Sequence, residues 1–110
     1  MTTTLLNIHD LESYSDEKPM ASNVFDSEQL GAKLICFQPG QSLAPHHTES
    51  LAFFLVQNGA GEISIGDEVH LVSEGQVIPA PAMVDHGIVN TGSDPLVLLL
   101  VQTPNPFFCC

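Results

Sequence analysis

The chain has 110 residues, enough for one domain with one core, and 44% of them are hydrophobic, which argues against a disordered chain. Thirteen acidic residues against two lysines and no arginine give a formal net charge of −11, which disfavours nucleic acid and anionic membranes as partners. Because sites for phosphates or carboxylates usually contain an arginine fork, the composition also favours a ligand that is neutral, apolar or cationic.

The N-terminal third predicts little regular structure before its first long strand. Asn7 to Leu11 fits a short strand within a polar, acidic stretch. Ala32 to Gln38 is an apolar run that ends at the turn dipeptide Pro39-Gly40, and it therefore predicts a strand. Cys36 lies in this run and is expected to be a small core residue.

The rest of the chain predicts strands separated by turns. Leu51 to Gln57 is rich in β-formers and runs into Asn58-Gly59, a dipeptide typical of a tight hairpin. Further strands are predicted over residues 62–65, 68–72, 76–78, 86–90 and 96–102. Pro79 and Pro81 cannot donate to a strand ladder, so their segment is expected at a sheet edge or a bulge. Strands at this spacing, with no convincing helix, predict an all-β antiparallel sandwich or barrel.

Cysteines and hydropathy bear on the location of the protein. Cys36, Cys109 and Cys110 lack the spacing of zinc ligands and fit reduced thiols, with a vicinal disulfide between the last two as the alternative. The N-terminus has no basic start, and the longest apolar run, Leu96 to Val101, is far short of the ~20 residues that span a bilayer. These features predict a cytoplasmic protein.

Four residues at fixed offsets form the pattern G-x5-P-x4-H-x3-N: Gly75, Pro81, His86 and Asn90. This pattern resembles the second conserved motif of the cupins. Gly40, His46 and Gly59 are similar to parts of the first cupin motif, G-x5-H-x-H-x3-4-E-x6-G. The resemblance covers about residues 31–103, and it implies a cupin-type jelly-roll β-barrel (a double-stranded β-helix).

The first motif departs from the family pattern where cupins place metal ligands. The second histidine of the motif falls at Thr48 and the glutamate at Ala52, so only His46 and His86 are retained in register. His47 lies on the opposite strand face unless a bulge turns it inward, and it is a further candidate ligand. The implied metal is a divalent Zn, Ni, Mn or Fe ion. Two histidines would hold it weakly, because a catalytic site normally has at least three protein ligands.

The family layout also implies a pocket between the sheets. The expected lining residues are Ala52, Phe54, Val56, Met83 and Ile88. An apolar lining with two imidazoles is typical of a small-molecule site, although the same side chains could simply fill a barrel core. His86 is the best candidate for a catalytic residue, as a general base, with a hydrogen-bonded pocket residue as the alternative.

Three functions therefore stay open. The first is binding of a small neutral or apolar molecule in the pocket, with at most a weak metal site; Ala52 and Thr48 favour it because they enlarge and neutralise the cavity. The second is a metal-dependent enzyme of dioxygenase, isomerase or decarboxylase type, in which Glu49 or Gln57 could supply the missing ligand. The third is a purely structural barrel.

We expect one domain over residues 1–110. It comprises an N-terminal segment (1–30), a barrel (31–103) and a tail (104–110) that packs at a dimer interface. Apolar residues in both terminal segments, Val24-Phe25 and Phe107-Phe108, predict a homodimer because they need something to pack on. The expected partners are thus a small-molecule ligand and a second copy of the chain.

Overall fold

Runs of β-branched and aliphatic residues form nine strands, most of them separated by turns that contain glycine or proline. A computed structural model describes residues 3–108. Its strands are β1 (Met20–Asp26), β2 (Gly31–Phe37), β3 (Ser42–His46), β4 (Leu51–Asn58), β5 (Ala60–Ile65), β6 (Glu68–Ser73), β7 (Val77–Ala80), β8 (His86–Val89) and β9 (Leu96–Thr103).

The prediction of a short strand at Asn7 to Leu11 is wrong, because Ile8–Leu11 forms one turn of 3-10 helix. The side chain of Asn7 accepts a hydrogen bond from the backbone N–H of His9 at 3.1 Å, which caps this turn. No helix among residues 3–108 is long and apolar enough to cross a membrane.

The strands form two antiparallel sheets that pack face to face. Sheet A has the order β1-β2-β9-β4-β7, and sheet B has the order β3-β8-β5-β6. The all-β antiparallel architecture predicted from the sequence is confirmed. Pro79 lies on β7 at the edge of sheet A, where a missing N–H donor is tolerated, as expected.

The prediction of a hairpin at Asn58-Gly59 is wrong, because this turn connects a strand of sheet A to a strand of sheet B. β4 pairs with β7 and β9, whereas β5 pairs with β6 and β8. Gly59 has a φ of +84°, and a Cβ added there would lie 2.3 Å from the carbonyl oxygen of Pro95. The dipeptide thus marks a left-handed turn that passes close to another backbone segment, for which only glycine has room.

Strand alternation divides the apolar residues between the two faces of sheet A. The inner faces of both sheets form the main core, whose largest members include Phe37, Phe54, Ile63, Leu96 and Leu98. The outer face of β2 carries Leu34 and Cys36, which Ile8, Leu11 and Val24 cover. Cys36 is buried, as predicted. The N-terminal segment therefore packs on the outside of the barrel.

Asn90 ties sheet B to sheet A at the end of β8. It is 1% exposed. Its Nδ2 donates to the carbonyl oxygens of Phe37 at 3.1 Å and Asp94 at 3.0 Å, and its Oδ1 accepts from the N–H of Gly92 at 3.0 Å. The expected role of Asn90 in bonding the backbone at a turn is confirmed.

Candidate functional site

A cavity of about 230 Å³ lies between the two sheets, on the side where β1 and β3 form their edges. Side chains from the inner faces of β1, β2, β4, β9, β3 and β8 line it. They are Ala21, Lys33, Ile35, Leu43, His46, Phe54, His86, Ile88 and Leu100, together with Phe107 of the C-terminal segment. Most of the lining is apolar, so the few polar groups stand out.

The cavity has a buried floor and an open rim. Phe54, His86 and Ile88 are 1%, 4% and 2% exposed and form the floor. His46 on β3 and Phe107 are both exposed and stand at the rim. A molecule that enters therefore passes the His46 imidazole and the Phe107 ring first and meets mainly apolar surface further in.

His46 and His86 face each other because they are register partners between β3 and β8. Their ring centroids lie 4.6 Å apart with the planes inclined by 63°. The ring of Phe54 approaches His86 edge-on from sheet A, with 5.4 Å between centroids. Thus the two histidines that the sequence singled out are adjacent, and an aromatic ring fixes the deeper one.

His86 is a buried imidazole with an unused polar atom. Its Nδ1 is buried and has no hydrogen-bond partner among the described residues. Burial lowers the pKa of His86 below its ordinary value, and the neighbouring His46 lowers it further, while the backbone of Val84 and the carboxylate of Asp85 oppose the shift. Burial therefore favours the neutral form of His86, and its Nδ1 is enclosed by protein atoms and not open to the cavity.

His46 has a defined tautomer when it is neutral. Its Nδ1 lies 3.2 Å from the carbonyl oxygen of Ala44, which can only accept, so Nδ1 carries the proton. Nε2 then has a free lone pair at the rim. Such a nitrogen can accept a hydrogen bond from a ligand, abstract a proton or bind a metal ion.

The donor set around these histidines falls short of a tight metal site. Among residues 3–108, no group of three or more His, Cys, Asp or Glu side chains is placed to hold a metal ion. His47, the further candidate, does not line the cavity; its Nδ1 lies 2.6 Å from Oδ1 of Asp85, and both side chains are about half exposed. Two imidazoles alone do not fit a catalytic ion, which needs at least three protein ligands.

The other predicted lining residues separate into two groups. Phe54 and Ile88 line the cavity. Ala52 and Val56 lie on the same face of β4 but are buried in the core outside the lining. Met83 is 60% exposed and has a φ of +66°, and its N–H donates to the carbonyl oxygen of Thr48, so it lies in the β7–β8 loop and not in the lining.

Sequence reasoning missed the part of the cavity that β1, β2, β9 and the C-terminal segment provide. The missed residues are Ala21, Lys33, Ile35, Leu43, Leu100 and Phe107. A signal for Lys33 was present, since it is the one charged residue in the apolar run of β2 and shares a face with Ile35 and Phe37. Which face of that run meets the cavity depends on sheet packing, which the strand pattern alone does not give.

Comparison with known proteins gives a consistent result. The cupin-domain family matches residues 33–102. A xanthan biosynthesis protein, XanB, from Xanthomonas campestris pv. campestris is 36% identical over 85 residues, which are 72% of this chain and 18% of that protein. The chain therefore spans about a fifth of the length of the curated relatives that it matches.

Solved structures share the fold over nearly the whole chain. The protein TT1209 from Thermus thermophilus is 31% identical with a TM-score of 0.87, covering 91% of this chain and 96% of that one. A double-stranded β-helix protein from Klebsiella pneumoniae is 22% identical with a TM-score of 0.88, covering 98% and 96%. With the family match, the two sheets and the paired histidines, the chain belongs to the cupin-domain family.

Proposed function

We propose that this cupin domain binds a small organic molecule with an apolar body in the cavity between its sheets. The observation that carries the proposal is the mainly apolar lining of the cavity, with the Nε2 lone pair of His46 at its rim. Burial of the apolar body of a ligand against this lining is favourable, and a hydrogen-bond donor on the ligand can pair with His46 at the rim.

The size of the cavity limits the ligand. Its volume is about 230 Å³. Pockets for drug-sized ligands are larger, roughly 300–1,000 Å³. The ligand is therefore a small metabolite, held mainly by burial of apolar surface against Ile35, Ile88 and Leu100, with its polar contacts at the rim.

The alternative, a metal-dependent enzyme that uses His46 and His86, has weaker support. Two imidazoles can retain a divalent ion weakly, and neither Thr48 nor Ala52 offers the third ligand that the family motif places there. Protein purified without an affinity tag and dialysed against chelator-free buffer should contain well under one equivalent of Zn, Ni, Mn or Fe. Near-stoichiometric metal that is lost in both His46→Ala and His86→Ala would favour the enzyme.

Ligand binding is tested best by blocking the cavity without disturbing the core. Ala21 lies on the edge strand β1, is exposed and lines the rim, so Ala21→Trp places an indole across the opening at little risk to folding. Val69→Trp on β6 is the control, because Val69 is 64% exposed and does not line this cavity. Binding is followed by methyl chemical shifts of Ile35 and Ile88 during titration with small organic molecules.

We expect Ala21→Trp to abolish the methyl shifts of Ile35 and Ile88 while Val69→Trp leaves them intact. A screen in which no small molecule perturbs these methyls in the wild-type protein would overturn the proposal. So would compounds that bind equally well to Ala21→Trp, since they would occupy another surface.

We further propose that the domain is a homodimer, the state expected from its apolar terminal segments, but with the outer face of sheet A as the interface. In the structure, Val24 packs on the outer face of β2 and Phe107 contacts Lys33 of the same chain. The outer face of sheet A exposes the neighbouring apolar side chains Leu51, Phe53 and Val77. Contiguous exposed apolar side chains of this kind mark interaction surfaces more often than scattered ones do. Sedimentation should give twice the 11.8 kDa of the chain, and Phe53→Lys should return it to the monomer. A wild-type protein that sediments as a monomer would refute this.

The cytoplasmic location predicted from the sequence is kept as part of the proposal. It fits the free, buried thiol of Cys36. Cys109 and Cys110 lie outside the described residues.

A further inference from the structure

Lys33 places a positive charge at the cavity of a strongly acidic chain. The chain has only two basic side chains against 13 acidic ones. Lys33 is on β2 and faces inward beside Ile35, where strand alternation would otherwise put an apolar residue. Lys18, the second lysine, is exposed and does not line the cavity.

The ammonium group of Lys33 is held in position, but its hydrogen-bond donors are not used by another side chain among the described residues. Its Nζ lies 4.4 Å from the centroid of the Phe107 ring, which is a cation–π contact. Among the ion pairs and side-chain hydrogen bonds found within residues 3–108, none involves Lys33. A half-buried lysine with three free donors at the opening of a cavity is suited to meet an anion.

The register of sheet A sets the distance between this charge and the floor. Lys33 lies opposite Leu100 on β9, and Leu100 lies opposite Phe54 on β4. At ~4.8 Å between strands, Lys33 and Phe54 are roughly 10 Å apart along the sheet. The ring of Phe54 in turn packs on His86. The cavity therefore runs from a cation at the rim, across apolar side chains, to a buried imidazole.

We infer that the ligand is a small organic monoacid, whose carboxylate pairs with Lys33 at the rim and whose apolar body extends toward Phe54 and His86. This inference rests on the proposed function and names its ligand class. It replaces the expectation of a neutral ligand, which came from the lack of arginine. A lysine can bind a carboxylate as a point charge without the paired donors of an arginine. Pairing at the half-solvated rim also avoids the cost of burying an ion in the core.

The net charge of the protein restricts the ligand to a single negative charge. With one lysine at the cavity and a formal net charge of −11, a dianion such as a phosphate monoester would retain an unpaired charge in a repulsive field. At physiological ionic strength the more distant carboxylates are screened beyond ~8 Å, so the local charge of Lys33 dominates for a monoanion.

The test compares acids with amides of nearly the same shape. Benzoate and phenylacetate are titrated against benzamide and phenylacetamide, with the methyl shifts of Ile35 and Ile88 as the readout of binding in the cavity. In the wild-type protein we expect each acid to bind about five- to tenfold more tightly than its amide, as for a partly exposed charge-assisted pair. Lys33→Met, which keeps the length and apolar stem, should remove this preference.

Two further variants make the result specific. Lys33→Arg retains the charge and should keep the preference for acids, whereas Lys18→Met, which changes the net charge equally to Lys33→Met, should leave it unaltered. If acids and amides perturb the cavity methyls equally in wild type, or if Lys33→Met retains the preference, the inference is overturned while the proposed binding function stands. If neither class perturbs these methyls, the proposed function fails and the inference fails with it.

Discussion

Replacing Asn90 should destabilise the domain more than any other exchange of a single polar side chain described above. Its amide makes three hydrogen bonds, all to backbone groups and all from a side chain that is 1% exposed. Each such bond contributes ~1 kcal/mol net, so Asn90→Ala should lower the free energy of unfolding by about 3 kcal/mol. The Phe37 and Asp94 carbonyl groups and the Gly92 N–H are left without their side-chain partner, which adds to the loss.

The magnitude can be read in a urea titration. For a domain of this size the urea dependence is about 1–1.5 kcal/mol per molar, so the unfolding midpoint should fall by roughly 2–3 M. Asn58→Ala is the matched control, since its exposed amide makes one hydrogen bond, 3.2 Å to the carbonyl oxygen of Pro95. That variant should lose less than ~1 kcal/mol.

Asn90→Asp separates the donor role of Asn90 from its packing. The shape of the side chain is nearly unchanged, but a carboxylate oxygen takes the place of Nδ2. This oxygen would face two carbonyl oxygens that both need a hydrogen-bond donor. We therefore expect a loss of at least ~2 kcal/mol at pH 7. An Asn90→Asp protein as stable as wild type, or an Asn90→Ala protein no less stable than Asn58→Ala, would show that these hydrogen bonds do not hold the sheets together.

Two further predictions concern the backbone and the buried thiol. Gly59→Ala and Gly40→Ala both place a Cβ at a φ near +85°, but only at Gly59 does that Cβ meet another atom, the Pro95 oxygen at 2.3 Å. Gly40→Ala should therefore cost ~1 kcal/mol in urea unfolding and Gly59→Ala clearly more; equal losses would mean that strain in φ explains both. Burial raises the pKa of Cys36, so peptide-resolved alkylation should leave this thiol unmodified at pH 8 until urea unfolds the domain, and rapid native alkylation would contradict its buried position.

The sequence was sufficient for the seven strands β2 and β4 to β9 and for one wall of the cavity, but it did not predict the edge strands β1 and β3. The offsets of His86 and Asn90 identify β8 and its turn because both side chains have fixed roles there. Thr48 and Ala52 stand where the family motif places its other two ligands, which a comparison of the sequence with that motif is enough to show. These features depend on local alternation, which a pattern of period two reveals.

The remaining parts depend on which strands meet in space. The turn at Asn58-Gly59 has the composition of a hairpin, and only the contact with Pro95 shows that it joins two sheets. Lys33 contacts the ring of Phe107 near the far end of the chain, and strand periodicity carries no information on such a pair. The sequence marks Lys33 as an unusual charge in an apolar strand, but only the assembled sheets show that it lies at the rim of the cavity.

The position of the cavity at the two sheet edges has a kinetic consequence. β1 and β3 are edge strands, so the opening between them crosses no backbone ladder among the described residues. A ligand can come and go by rotation of side chains such as Phe107, on the nanosecond scale of exposed rotamers, without local unfolding. When the cavity is filled, the amides of β2 and β9 should exchange with solvent deuterium more slowly only by the factor by which the ligand stabilises the whole domain. They should show no additional local protection.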